Sequence, residues 1–107
     1  MIQYTNEIQT AKLIELGLPK PKGLADAEPS SGKWVREAYS IGELLSFLPE
    51  NIAKENEMPS TLNISLLNGE WCVEYADFLG ADFSFRRVEL IDAIFDMIVK
   101  LKEKGVI

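Results

Sequence analysis

Residues Thr61 to Ala76 read "TLNISLLNGEWCVEYA", and one dipeptide within them decides how the chain folds. Asn68-Gly69 is the pair best suited to a type I′ turn, which needs positive φ at both central positions. A turn there sets Leu67 opposite Glu70 and fixes every other pair. Leu66 meets Trp71, Ile64 meets Val73 and Leu62 meets Tyr75 on one face. Ser65 meets Cys72, Asn63 meets Glu74 and Thr61 meets Ala76 on the other. A slip of one residue would scramble both faces, so the register is strongly specified. The stretch predicts an antiparallel hairpin with an apolar side and a wet, polar side.

Cys72, the single cysteine of the chain, falls on the polar side between Glu70 and Glu74. Two carboxylates beside a thiol disfavour its thiolate, the nucleophilic form. Cys72 therefore reads as a strand residue and not as a catalytic one.

Downstream, "DFLGADFSF" (77–85) places a turn at Gly80 and alternates Phe83 and Phe85 about Ser84, which predicts a short third strand near 83–85. The final segment, "RRVELIDAIFDMIVKLKEKGVI" (86–107), predicts the longest helix. Val88, Ile91, Ile94, Phe95, Ile98 and Leu101 share one side at helical spacing. Glu89, Asp92, Asp96 and Glu103 form an acidic stripe on the other. Gly105 is a natural C-cap, with Val106 and Ile107 left to cover the helix end.

Upstream, "TNEIQTAKLIELGLP" (5–19) carries an N-cap at Thr5 or Asn6, capping-box spacing from Asn6 to Gln9, and a stop at Gly17 and Pro19. The pattern puts Ile8, Ala11, Ile14 and Leu18 on the buried side, widened by Leu13 and Leu16. Residues 19–33 hold three prolines and two glycines and read as a long flexible loop. "KWVREAY" (33–39) reads as a short extended segment or as the approach to the next helix. Ser40 and Glu43 make a second capping box before "IGELLSFL" (41–48), a helix expected to end before Pro49. The charged "ENIAKENEMPS" (50–60) reads as a connection.

The order predicts a single α+β domain over 1–107: a small antiparallel meander of two to three strands packed against a long C-terminal helix, with two short N-terminal helices. The 107 residues are 47% hydrophobic, which supports a real core without a metal or disulfide staple. Neither a secretory leader nor a membrane-length apolar run is visible, so the expectation is a cytoplasmic protein with no membrane partner.

The charges exclude more than they suggest. Eleven basic against seventeen acidic residues give a net charge of −6, so direct nucleic-acid binding is not expected. With no histidine, the chain lacks the usual general base and imidazole metal ligand. General acid–base chemistry would fall to a carboxylate, lysine, tyrosine or the thiol. "AEPSSGKW" (27–34) approaches a phosphate-binding loop but has alanine where that pattern needs glycine and tryptophan where it needs serine or threonine. Asn63-Ile64-Ser65 matches a glycosylation sequon inside a strand. Asp77 and Asp82 around Gly80 lack the spacing of a calcium loop. No catalytic residue, metal or cofactor is predicted.

The segments "IQTAKLIELGL", "YSIGELLSFLP", "TLNISLLNGEWCVEY" and "ELIDAIFDMIVKL" with "GVI" resemble, in this order, a loose group of short proteins encoded by prophages and mobile elements of gut bacteria. The likeness covers most of the chain outside 19–33. The group carries no assigned activity or functional residues, so the resemblance implies a bacterial, phage-related setting and no site.

The leading expectation is a non-enzymatic protein–protein interaction module or accessory protein, with an unidentified protein partner. The alternatives are an acidic nucleic-acid mimic that inhibits a DNA-binding enzyme, resting on the acidic stripe, and an enzyme using a perturbed carboxylate or Cys72. The partner-binding candidates are Trp34 and Tyr39, aromatics at the end of the long loop, and Arg86 and Arg87, cations ahead of the last helix. Monomer and homodimer both remain open.

Overall fold

The computed structural model describes residues 1–25, 36–54 and 57–107. In chain order the elements are helix α1 (Glu7–Glu15), strands β1 (Gly23–Ala25) and β2 (Arg36–Ala38), and helix α2 (Ile41–Ser46). Strands β3 (Asn51–Lys54), β4 (Glu57–Leu67), β5 (Glu70–Asp77) and β6 (Gly80–Arg87) follow, and then helix α3 (Leu90–Glu103). The fold is α+β. Strands β3 to β6 form one antiparallel sheet in chain order, and β1 pairs with β2 in a separate ribbon.

The β4–β5 register is the one the Asn-Gly turn dictates, from Leu67 opposite Glu70 to Thr61 opposite Ala76. Asn68 and Gly69 adopt φ of 53° and 78°, the left-handed values of a type I′ turn. Across β5 and β6, Val73 faces Phe85 and Tyr75 faces Phe83. The ladder then shifts, leaving Asp82 as the extra residue of a bulge.

Helix α3 packs on β5 and β6, and α2 packs on α3. The core joins Val73 and Tyr75 to Ile91, Ile94, Met97, Ile98 and Leu101, with Leu13, Tyr39 and Leu44 from the N-terminal half. The opposite face of the sheet exposes Thr61, Asn63, Ser65, Glu70, Ser84 and Arg86. That face is wet, as alternation requires.

The sheet is larger than its sequence suggests. It has four strands, because 50–60 is not a connection: Asn51 pairs with Thr61 and Ile52 with Ser60. Pro59 and the charges of this stretch disguise it. Pro59 lies beside the register shift between Ile52 and Lys54, where its missing N–H interrupts no regular ladder. The third strand of the meander likewise runs over all of 80–87 and not only 83–85.

The stretch 19–33 is not simply a loop. Gly23–Ala25 pairs with Arg36–Ala38, and Lys22 N–H donates to the Glu43 carboxylate at 3.0 Å. Gly23 is required here, because a Cβ would lie 2.8 Å from the Ala38 carbonyl oxygen and 3.0 Å from the Tyr4 ring. Residues 26–33 of the predicted loop lie outside the described residues.

Helix α1 starts with the predicted capping box of Asn6 and Gln9 but turns a different side inward. Gln9, Thr10 and Leu13 are buried, while Ile8 is 81% exposed and Ile14 40%. Polar contacts set the rotation. Gln9 Nε2 donates to Asp92 Oδ1 at 2.7 Å. The Thr5 and Thr10 hydroxyls share a 2.7 Å hydrogen bond, and Tyr39 N–H donates to Thr5 Oγ1 at 3.1 Å. Buried polar groups with complete partners can displace an apolar face. In α3 the same comparison goes the other way. Five of its predicted apolar positions pack inward, and only Val88, which precedes the helix, stays 71% exposed.

Candidate interaction surface

Strand β6 lies at one margin of the sheet, with β5 on one side and, among the described residues, no strand on the other. An open margin presents unpaired backbone donors and acceptors. The opposite margin, β3, has only four residues and a register shift, devices that blunt an edge. β6 has eight residues and is regular from Phe83 to Arg87.

Alongside this edge is a groove of about 250 Å³ between β6, α1 and α3. Its floor is Phe85, Phe95 and Val99, and its rim carries Lys12, Lys100 and Asp96. Phe95 and Val99 are one helical turn apart on α3 and both are only half-buried. They extend the apolar side of α3 past the width that the sheet covers.

Arg86 and Arg87 are neighbours in β6 but belong to opposite faces. Arg87 lies across from Trp71 and donates to Asp96 Oδ2 at 2.8 Å, with Asp92 3.8 Å away. Burial pushes the Asp96 carboxyl up, while the Arg87 charge and hydrogen bond pull it down and the Asp92 charge adds to the rise. Arg87 is thus occupied in tying the sheet to α3. Arg86 lies across from Cys72 on the wet face and is exposed.

Tyr39 is not part of this surface. Tyr39 is fully buried, packs edge-on against Phe47 at 5.9 Å, and donates its hydroxyl to the Pro19 carbonyl. Burial, reinforced by the Glu43 charge, raises its phenol. Tyr39 anchors the chain to the core and has no surface to offer a partner. Trp34 lies outside the described residues.

The acidic stripe of α3 is largely engaged. Glu89 accepts from Ile2 N–H at 3.0 Å, Asp92 from Gln9, and Asp96 from Arg87. These carboxylates fasten the N-terminal segment and β6 to α3.

A second, smaller recess of about 80 Å³ lies on the wet face among Ser65, Glu70, Cys72, Glu74 and Arg86. Cys72 lies in it and is 7% exposed. Its Sγ is 3.5 Å from Ser84 Oγ and 3.9 Å from Glu74 Oε2. Among the described residues, no three His, Cys, Asp or Glu side chains converge to hold a metal ion. No described helix is long and apolar enough to cross a membrane.

Sequence reasoning placed the turn of the β5–β6 hairpin at Gly80 but missed the groove and the exposed apolar pair at the hairpin tip. In that turn Asp77 Oδ1 accepts from Leu79 N–H at 2.8 Å and Gly80 takes φ of 142°. Asp77 and Gly80 shape the turn, which leaves Phe78 and Leu79 78% and 83% exposed. Turn centres are ordinarily polar, and this Phe-Leu pair was the available signal.

No known family, curated protein or solved structure matches the chain.

Proposed function

We propose that this chain is a non-enzymatic protein–protein interaction module, an accessory protein of a phage or mobile element, and that it binds through β6 and the adjoining groove. The observation that carries this reading is the coincidence of an open eight-residue edge with an apolar groove floored by Phe85, Phe95 and Val99. Backbone groups along an edge supply affinity to an added strand, and adjoining pockets supply selectivity. The phage setting rests on the resemblance of the helix and hairpin segments alone.

The test is affinity purification from a lysate of the cells that encode the protein, using tagged wild type, Val99→Lys and Asn63→Lys. Val99 lines the groove and Asn63 is exposed on the wet face. A protein recovered with wild type and Asn63→Lys but at least tenfold depleted with Val99→Lys supports the module. Identical recoveries from three variants with equal circular dichroism overturn it.

A further inference from the structure

Asn68 and Gly69 close the β4–β5 hairpin, and the same pair carries a chemistry of its own. An asparagine side chain is open to attack by the backbone nitrogen of the residue that follows, and glycine puts least in the way. Both residues stand in water: Asn68 and Gly69 are exposed, and a Cβ built on Gly69 would meet nothing within 4 Å. Among the described residues, no hydrogen bond holds the Asn68 amide or the Gly69 N–H. The other asparagines, Asn6, Asn51, Asn56 and Asn63, precede glutamate or isoleucine, whose side chains crowd the attacking nitrogen. We propose that Asn68-Gly69 is a deamidation site controlled by the hairpin, protected while the turn is closed and converted to aspartate or isoaspartate when it opens. This goes beyond the reading of β6 as a binding edge and does not depend on it.

The co-reactants are hydroxide and water. Hydroxide takes the Gly69 N–H proton, and the nitrogen forms a bond to Asn68 Cγ. The side-chain Cγ–N bond breaks, and its nitrogen takes a proton from water and leaves as ammonia. The product is a five-membered succinimide. Water then adds to one of the two ring carbonyls, and the C–N bond at that carbon breaks. Opening at Cγ gives aspartate with the chain unaltered. Opening at the backbone carbonyl gives isoaspartate, whose chain runs through Cβ and Cγ. Nothing is oxidised or reduced, and the chain gains one negative charge.

The backbone decides when the ring can close. Asn68 has φ of 53°, and a left-handed residue has ψ of about 47°. Such a ψ sets the following nitrogen nearly anti to Cβ across the Cα–C bond, the arrangement that holds it farthest from Cγ. Ring closure needs the reacting atoms in near contact, so ψ must turn by almost half a revolution. The type I′ turn forbids that rotation while the pairs from Leu67–Glu70 to Thr61–Ala76 are in place.

The two products have different consequences. Asp-Gly suits the same turn, so the aspartyl chain closes again. Isoaspartate adds a backbone atom to a two-residue loop whose geometry fixes the register. The isoaspartyl chain therefore loses the native pairing of β5, the strand that gives Val73 and Tyr75 to the core.

Incubating the full chain in mildly alkaline buffer, folded in one sample and unfolded in urea in another, tests the proposal. Ion exchange reads the added charge, and peptide mass spectrometry locates it. Conversion at Asn68 should be at least about tenfold slower in the folded protein, because it must wait for local opening. In both samples Asn6, Asn51, Asn56 and Asn63 should convert far more slowly than unfolded Asn68. Asn68→Asp should unfold at the wild-type urea concentration, whereas the purified isoaspartyl fraction should unfold at a lower one. Equal rates in the folded and unfolded samples overturn the protection by the turn. An unfolded chain that keeps its amide at Asn68 overturns the site itself. An isoaspartyl fraction that regains the wild-type urea midpoint overturns the loss of register.

Discussion

Strands β4 and β5 carry the same alternation in one register, yet their apolar sides meet different fates. Val73 and Tyr75 of β5 are fully buried, whereas Ile64 and Leu66 of β4, on the same side of the sheet, are 37% and 55% exposed. Helix α3 makes the difference. It lies along β5 and β6, and on β4 only Leu62 joins the partly buried residues packed against the core. Alternation determines the side to which a residue points. Burial depends on what arrives to cover that side, and this is a tertiary matter.

The sharpest way to test the contrast is to open a cavity where α3 covers the sheet. Ile98 is fully buried in the central cluster. Ile98→Ala removes buried carbon and leaves a void, so it should destabilise the protein by about 3 kcal/mol. Urea unfolding followed by circular dichroism measures this directly. A loss of under about 1 kcal/mol would mean that α3 is not seated on β5 as described.

Tyr75 offers a smaller effect on the covered side, with a pH signature. Its ring is buried and its hydroxyl donates to the Pro49 carbonyl at 2.6 Å. Tyr75→Phe should cost about 1 kcal/mol, the net worth of one hydrogen bond. Burial also pushes the phenol from 10.0 to about 12. The folded state therefore holds this proton more tightly than the unfolded chain does. The associated stability is whole below about pH 10 and is lost as pH rises toward 12. Tyr75→Phe should flatten that decline without abolishing it, because the Tyr39 phenol is also raised. Ultraviolet titration of the phenolates, paired with unfolding midpoints at pH 8 and 11, checks both halves. An unchanged alkaline decline in the variant would show that Tyr75 ionises freely.

The two sides of this comparison also mark how far the sequence was legible. The β4–β5 register, both N-caps and the inward side of α3 follow from local rules: turn chemistry, capping hydroxyls and amides, and a period of 3.6. Strand β3, the early start of β4 and strand β1 were not legible, and β2 lies where 33–39 reads as an extended segment or as the approach to the next helix. Their short segments contain proline, glycine or charge, and only a neighbouring strand makes them extended. The rotation of α1 was hidden for a related reason. Asp92 is 83 residues from the Gln9 that binds it, and no local pattern announces such a partner. Of the candidate surface, Arg86 and Arg87 were visible as charges, but their separation onto two faces depended on β6 running through them. The groove residue Phe95 had been assigned to the core side, and its position at the margin emerged only once α3 was docked.

The smallest expected effect lies on the uncovered part of β4. Leu66 is 55% exposed across from Trp71, so much of its apolar surface already lies in water. Leu66→Ser removes a modest contact and some β-propensity, each worth a few tenths of a kcal/mol in an exposed strand position. The change in unfolding free energy should stay within about 0.5 kcal/mol, as at most surface sites, with no change in the denaturant slope. A loss above about 1.5 kcal/mol would be the more instructive result. It would require something to cover Leu66 in solution, and the contrast between β4 and β5 would then belong to the isolated chain and not to the protein at work.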